Sequence, residues 1–369
     1  MKWAYAIGLT ALACAAPKSS TDGRCQPGTV CILAGTGELG FNGDGLPALQ
    51  TRLASPSSVY EDPSGIITIV DYSNMRVRTI NDDGTIGTVV GNGFHAYSEP
   101  GTPASDSPLE NPIDVGWSAE GHLCVQPQHE GRVICLDSAG NVALRAGTGV
   151  IADSGDGGSA LEAEMGYGGG LAFTEDGTLF ISDSTFSRVR RVTPDGAIDT
   201  VLGTGEAGQG DPGLGIETTL RFPERLAIDE ASEQLYVADT FNHRVIRVDL
   251  LTGLAHLHAG TGAEGSDGDG GPATEATLNQ PVGLAIGPLG SLLVAERRGH
   301  VVRHIDSSGT IETIAGTGVP GTAVDTHAPR STQLTGPAGI AWTATGDLLI
   351  AEQFGHRILL IRDLWTDLQ

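Results

Sequence analysis

A G-x-G element recurs along the chain: AGTG ending at Gly37, VGNG at Gly93, AGTG at Gly149, LGTG at Gly205, then AGTG at Gly262 and Gly318. The steps between them are 56, 56, 56, 57 and 56 residues. A second marker keeps the same register, at Arg76, Arg132, Arg188, Arg244, Val301 and Arg357. Such a period requires a repeat architecture, in which each unit buries its faces on its neighbours. Every unit holds four short apolar runs; in the first they are SSVYE, IITIV, RVRTI and IGTVV, separated by turn residues such as DPSG, DYSN and NDDG. Four strands per unit and six units predict an all-β fold, a six-bladed β-propeller of four-stranded antiparallel blades.

The two ends of the chain predict how the ring closes. The last unit stops after its third run, HRILLIRDLWTDLQ, with no fourth run and no AGTG behind it. The missing piece stands at the other end, where VCILAGTG (residues 30–37) matches IETIAGTG of unit 5. The N-terminal strand is therefore expected to complete the last blade, which removes two open sheet edges. The wording of the units resembles NHL repeats, most clearly LYVADTFNHRVIRV in unit 4. The resemblance covers nearly everything from residue 30 onward, with units 2 and 5 departing most.

Ahead of the repeats, MKWAYAIGLTALACAAPKSS reads as an export signal over residues 1–13, with Lys2 as the charged end and Trp3 to Ala13 too short to span a bilayer. The residue after Ala11-Leu12-Ala13 is Cys14, so the stretch resembles a bacterial lipoprotein signal with Cys14 lipidated. It departs from the usual pattern in placing leucine second rather than third before the cysteine; simple cleavage at the same bond is the alternative. The expected organisation is signal 1–13, tether 14–29 and propeller 30–369, in an envelope lipoprotein or secreted protein that touches a membrane only through its anchor. The other four cysteines form two local pairs. Cys25 and Cys31 flank the Pro27-Gly28 turn, and Cys124 and Cys135 face each other across a hairpin centred on His129 and Glu130, within disulfide reach. Free buried thiols are the alternative.

A formal charge of −24, with Lys2 and Lys18 the only lysines, excludes nucleic acid as a partner. GSDGDGGPATEATL, from Gly265, opens like a calcium loop, with Asp267 and Asp269 as the candidate ligands. Asp269, however, recurs nine residues after the first glycine of its element, as do Asp44, Asp156 and Asp325, with Asp211 displaced by one deletion. Asp267 does not recur, and no glutamate closes the loop. The recurring aspartate reads as a turn and helix cap before sequences such as GGPATEATL. A second recurring pattern places opposite charges on the arms of one hairpin: Asp71/Arg76, Asp183/Arg188, Asp239/Arg244 and Glu352/Arg357. These read as a fold clamp. His243, His300 and His356 share one column in three adjacent units, too far apart for one shared zinc ion. No cofactor is expected; calcium or zinc in the acidic loops is the alternative.

In a four-stranded meander the long aspartate loops and the second-to-third hairpins lie on one face, expected to be acidic and loop-rich. Deviations from the repeat mark site candidates. Asp114 and Arg225 are the charged exceptions at the start of the innermost strands, and Glu61 lies on the first of these strands. Unit 2 replaces its loop with NGFHAYSEP, giving His95, Tyr97 and Glu99, and its hairpin with QPQHEG, giving His129 and Glu130; simple drift of this unit, compensated by its disulfide, is the alternative. The inner runs SSVYE, IDVGW, GGLAF, RLAID, GLAIG and GIAW contain no histidine, and no nucleophile triad is visible. The reading is a monomeric, non-catalytic scaffold binding a protein, glycan or small ligand on the loop face. The resemblance also implies an alternative, a metal-dependent lyase or lactonase-like hydrolase with its site at the channel mouth.

Overall fold

The apolar runs become strands because blades cover each other on both faces. Leu292–Glu296 (LLVAE) and Leu348–Glu352 (LLIAE) are buried at every position, so they read as continuous rather than alternating apolar sequence. A computed structural model describes residues 25–322 and 328–364. It holds six antiparallel sheets whose four main strands follow chain order from inner to outer except in the last. The two-residue strands Leu46–Pro47 and Gly158–Ser159 add an outer edge to blades 1 and 3. The last blade is built from Pro337–Trp342, Leu348–Glu352, Arg357–Ile361 and, at its outer edge, Val30–Ala34. Val30 lies opposite Ile361 and Ala34 opposite Ile358, closing the ring as the sequence predicts. The end of the expected tether joins this closure: Gly28 N–H bonds Arg362 O, Arg362 N–H bonds Thr29 O, and Cys25 is disulfide-bonded to Cys31. The expected signal segment, Cys14 and Asp325 lie outside the described residues.

Cores form between blades rather than within them. Leu349 and Ala351 of blade 6 pack with Val59 and Ile69 of blade 1, while Leu348 and Ile350 face Leu293 and Ala295 of blade 5. Each such leucine or isoleucine contributes about 1.5–3 kcal/mol by leaving water.

The G-x-G signature has a steric cause. Its first glycine adopts φ between +85° and +100° in all six copies. A Cβ there would lie 2.1–2.5 Å from the carbonyl oxygen of the hairpin residue beside it, Met75 in blade 1 and His356 in blade 6. Only glycine meets both demands. The hairpin residue itself is left-handed at Met75, Ser187, His243, His300 and His356 (φ 49–56°). Nδ1 of each of the three histidines accepts a backbone N–H from the next blade: Gln280 at 3.3 Å, Gly336 at 3.1 Å and Ser55 at 3.1 Å. The histidine column is an inter-blade staple. In blade 2, Cys124 and Cys135 stand directly opposite with Cα atoms 3.9 Å apart and form the second disulfide. No helix among the described residues is long and apolar enough to cross a membrane.

Candidate functional site

The repeated charges hold the loop face in place, with partners that differ from those expected. Across five blades the acid ending the second strand accepts one backbone N–H from the segment leading into the inner strand: Asp71 from Ala54, Asp183 from Gly166, Asp239 from Arg221, Glu296 from Asn279 and Glu352 from Thr335. In blades 4 and 6 the expected clamp forms, with Arg244 Nε 2.8 Å from Asp239 and Arg357 bonded to Glu352. In blades 1 and 3 it does not. Asp71 pairs with Arg78 at 3.3 Å, leaving Arg76 to donate to Gly91 O and stack over Phe41. Arg188 instead reaches Asp153 at 2.9 Å, and the buried guanidinium beside Asp183 belongs to Arg190. Blade 5 likewise uses Arg303, 3.0 Å from Glu296. An arginine seven residues after the acid takes the buried place wherever one exists; blades 4 and 6 have Ile246 and Leu359 there, so the nearer arginine turns in.

The recurring loop aspartates serve these arginines rather than capping helices. Asp44 lies 2.9 Å from Arg78, Asp156 2.6 Å from Arg190 and Asp269 2.7 Å from Arg303. Asp156 and Asp269 also accept the N–H of Thr200 and Thr313 on the outer strand. The 3-10 turn after Asp269 has Pro272 at its N-cap and no side-chain cap, which overturns the capping expectation. In blade 4, where the arginine is already turned in, Arg244 bonds Gly210 O beside Asp211. Asp267 is exposed and engages Thr277 through its backbone. Neither Asp267 nor Asp269 belongs to a metal-sized group of three ligands among the described residues.

Asp114 and Arg225 meet in the channel, but as a plug. Arg225 extends from blade 4 to Ser58 Oγ at 2.7 Å and Ser57 O at 3.0 Å in blade 1, to Ile113 O at 2.6 Å in blade 2, and to Gly169 O in blade 3. Asp114 accepts from Ser58 and Tyr60 hydroxyls, both 2.9 Å, and from Leu171 N–H at 3.0 Å. Burial and the Asp114 charge push the Tyr60 phenol strongly up. With Asp114 at 0% and Arg225 at 2% exposure, the pair ties four blades together and is closed off from solvent. Glu61 lies at the opposite end of its strand, accepting the Ala344 N–H of the neighbouring blade.

Above the plug, the residue after each clamp acid begins the hairpin: Tyr72, Gln128, Ser184, Thr240, Arg297 and Gln353. Tyr72 donates to Gln128, Ser184 to Pro223 O, Thr240 to Pro281 O, and Arg297 pairs with Glu224 at 2.9 Å. Sequence reasoning passed over this ring because its members vary between units, only Gln128 and Gln353 being alike. Burial, then the charges of Glu110 and Glu224, raise the Tyr72 phenol.

Blade 2 departs from this scheme. Pro127 stands where the other blades have the clamp acid, and Glu130 substitutes by accepting Ser98 N–H; its burial pushes the carboxyl up to about 7. The departure brings together His95, Tyr97 and His129, which the sequence marked only as deviations from the repeat, with Glu110, which it did not mark. His95 Nε2 is 3.1 Å and His129 Nδ1 3.7 Å from Glu110 Oε1. Tyr97 donates to His129 O, and the Tyr167 ring meets His129 edge-on with centroids 4.8 Å apart. Burial lowers His129, against the pull of Glu110. The usable signal was an acid in the column otherwise held by Ala54, Gly166, Arg221, Asn279 and Thr335.

Acid is not confined to the loop face. Turns on the opposite face carry Asp62, Asp137 and Asp306, each accepting two local N–H groups. A cleft of about 440 Å³ also opens there between blades 4 and 5, lined by Tyr236, Arg247, His256, His258 and Asp229 among others. Burial and Arg247 lower His258 to about 4, keeping it neutral.

Comparison with known proteins agrees with the repeat. Residues 170–319 match the Teneurin NHL domain. NHL repeat-containing protein 2 of Bos taurus is 29% identical over 303 residues, covering 70% of this chain. The repeats of this chain are similar to NHL repeats. This chain spans only 41% of that relative's length. Teneurin-m of Drosophila melanogaster is 28% identical over 340 residues, covering 84% of this chain but 12% of the teneurin. Among solved structures, an auxiliary nutrient binding protein from Bacteroides ovatus superposes on this propeller with a TM-score of 0.66. It covers 90% of this chain and 76% of that one at 14% identity, a likeness of fold alone.

Proposed function

We propose that this NHL propeller is an exported, non-catalytic scaffold that binds a protein, glycan or small ligand on its loop face around the channel mouth. The observation that carries the reading is the pairing of a plugged channel with exposed aromatic side chains above it. Phe94 is 72% exposed, and Tyr97 and Tyr167 about 40%, all beside the hairpin of blade 2. Leu39, Phe41 and Val150 continue the exposed apolar surface on neighbouring loops of the same face. Apolar and aromatic groups of this kind, framed by carboxylates, suit a recognition surface. The two disulfides suit an oxidising compartment. The Bacteroides ovatus protein of similar fold is a nutrient binding protein, which supports the same reading.

A panel of glycans and small metabolites, screened by melting temperature with chelator present, tests the reading. Ligands that stabilise the wild type should fail to stabilise Phe94→Ala/Tyr97→Ala/Tyr167→Ala, whose unliganded melting temperature stays near wild type. A hit that binds the triple variant equally, or that is converted to product, would sink it. Lipid anchoring is part of the same proposal: a labelled fatty acid should enter the wild type and not Cys14→Ala.

A further inference from the structure

We propose that His95, Glu110 and His129 form a site for one zinc-class divalent ion on the rim of the channel mouth. The ligand atoms Nε2, Oε1 and Nδ1 all lie within 4.8 Å of one another, and no other group of three such residues is found among the described residues. Two of the separations, 3.1 and 3.7 Å, bracket the roughly 3.4 Å that tetrahedral ligands at about 2.0–2.1 Å from zinc must have. Little movement is needed to close the shell.

The site is built by the main chain. Gln128 N–H bonds both Glu110 O at 3.1 Å and Asn111 O at 2.9 Å, which fixes the hairpin bearing His129 against the segment bearing Glu110. Tyr167 packs against the His129 ring, and Tyr97 bonds its carbonyl. Asn111 Oδ1, 2.6 Å from His95 Nε2, is a further oxygen within reach of the same ion. Two imidazole nitrogens and one carboxylate select a borderline ion such as zinc; calcium demands an oxygen cage that this group does not supply. Three protein ligands leave a coordination position open, and with the His95 side chain half exposed that position faces solvent. The inference stands apart from the binding reading, which is tested with chelator present.

The experiment is calorimetric titration of the chelator-stripped full chain with zinc chloride, alongside the visible spectrum of the cobalt(II) form. The wild type should bind about one zinc per chain and give cobalt bands indicating nitrogen ligation. Loss of ligands should exceed the 10–100-fold typical of outer-shell changes, so His95→Ala/His129→Ala should bind at least about 100-fold more weakly and lose the cobalt spectrum. Glu110→Gln, which preserves size, should weaken zinc in the same direction, and His256→Ala on the other face should leave it unchanged. Melting curves of the metal-free variants verify that they fold. Absence of saturable zinc binding by the wild type, equal binding by the folded double variant, or equal competition by calcium would each overturn the proposal.

Discussion

Blade 2 and the other five blades solve one problem in two ways. Each long loop must be tied to its own blade before the inner strand begins. Five blades use a buried acid at the end of the second strand, which grips a loop amide and, beside it, a buried guanidinium. Blade 2 has Pro127 at that position and compensates with Glu130, three residues later, and with a disulfide across the same hairpin. The difference teaches that the clamp is a fold device that fixes the hairpin side chains it touches. Where it is absent, Gln128, His129 and the facing Glu110 become free to form something else.

Removing the clamp should have the largest effect. Glu296→Ala leaves Arg303, fully buried, facing only the partly exposed Asp269, and is expected to cost about 3–5 kcal/mol in urea unfolding. Glu130→Ala should cost less, about 1–3 kcal/mol, because it orphans a loop amide and strands no fully buried guanidinium. A comparable loss at both positions would erase the distinction between the blades. Next, Cys124→Ser/Cys135→Ser removes the covalent substitute and should cost about 2–4 kcal/mol, as for a short closed loop. The same pair of changes should shift hydrogen exchange mainly in blade 2; uniform loss of protection would show that the disulfide supports the whole ring.

The smallest effect is in pH. Burial pushes Asp71 and Asp183 from 3.8 up to about 6, so the folded chain holds these protons more tightly than the unfolded one. Their contribution is therefore greatest below pH 3.8 and is lost as pH rises through about 6. Lowering pH from 7 to 5 should raise the melting temperature slightly, and Asp71→Asn/Asp183→Asn should flatten that slope. In blade 2, which has proline at this position, Glu130 adds to the same slope, its carboxyl being raised by burial to about 7. A slope unchanged in the double variant would remove these two carboxylates from the account.

Repeated residues were legible in the sequence as positions and misleading as partners. The glycines, the strands and both cysteine pairs follow from spacing, because turns and register are local. The pairing of Asp71 with Arg76 looked equally secure, yet the fully buried Arg78 takes the place while Arg76 donates to the carbonyls of Gly91 and Asn92. Asp114 and Arg225 were singled out correctly as exceptions, but nothing in one strand says that an arginine crosses the channel to reach three other blades. Glu110 escaped notice because its column is held by unrelated residues elsewhere.

The sequence alone determined the count of blades, the closure by Val30–Ala34 and the cross-links, since a period of 56 residues and a missing fourth strand leave one way to pair every edge. Tertiary structure decided which charges meet, which are sealed in the plug and which gather at blade 2. Those outcomes depend on side chains reaching between loops and blades distant in the chain, over distances that a repeat column does not encode.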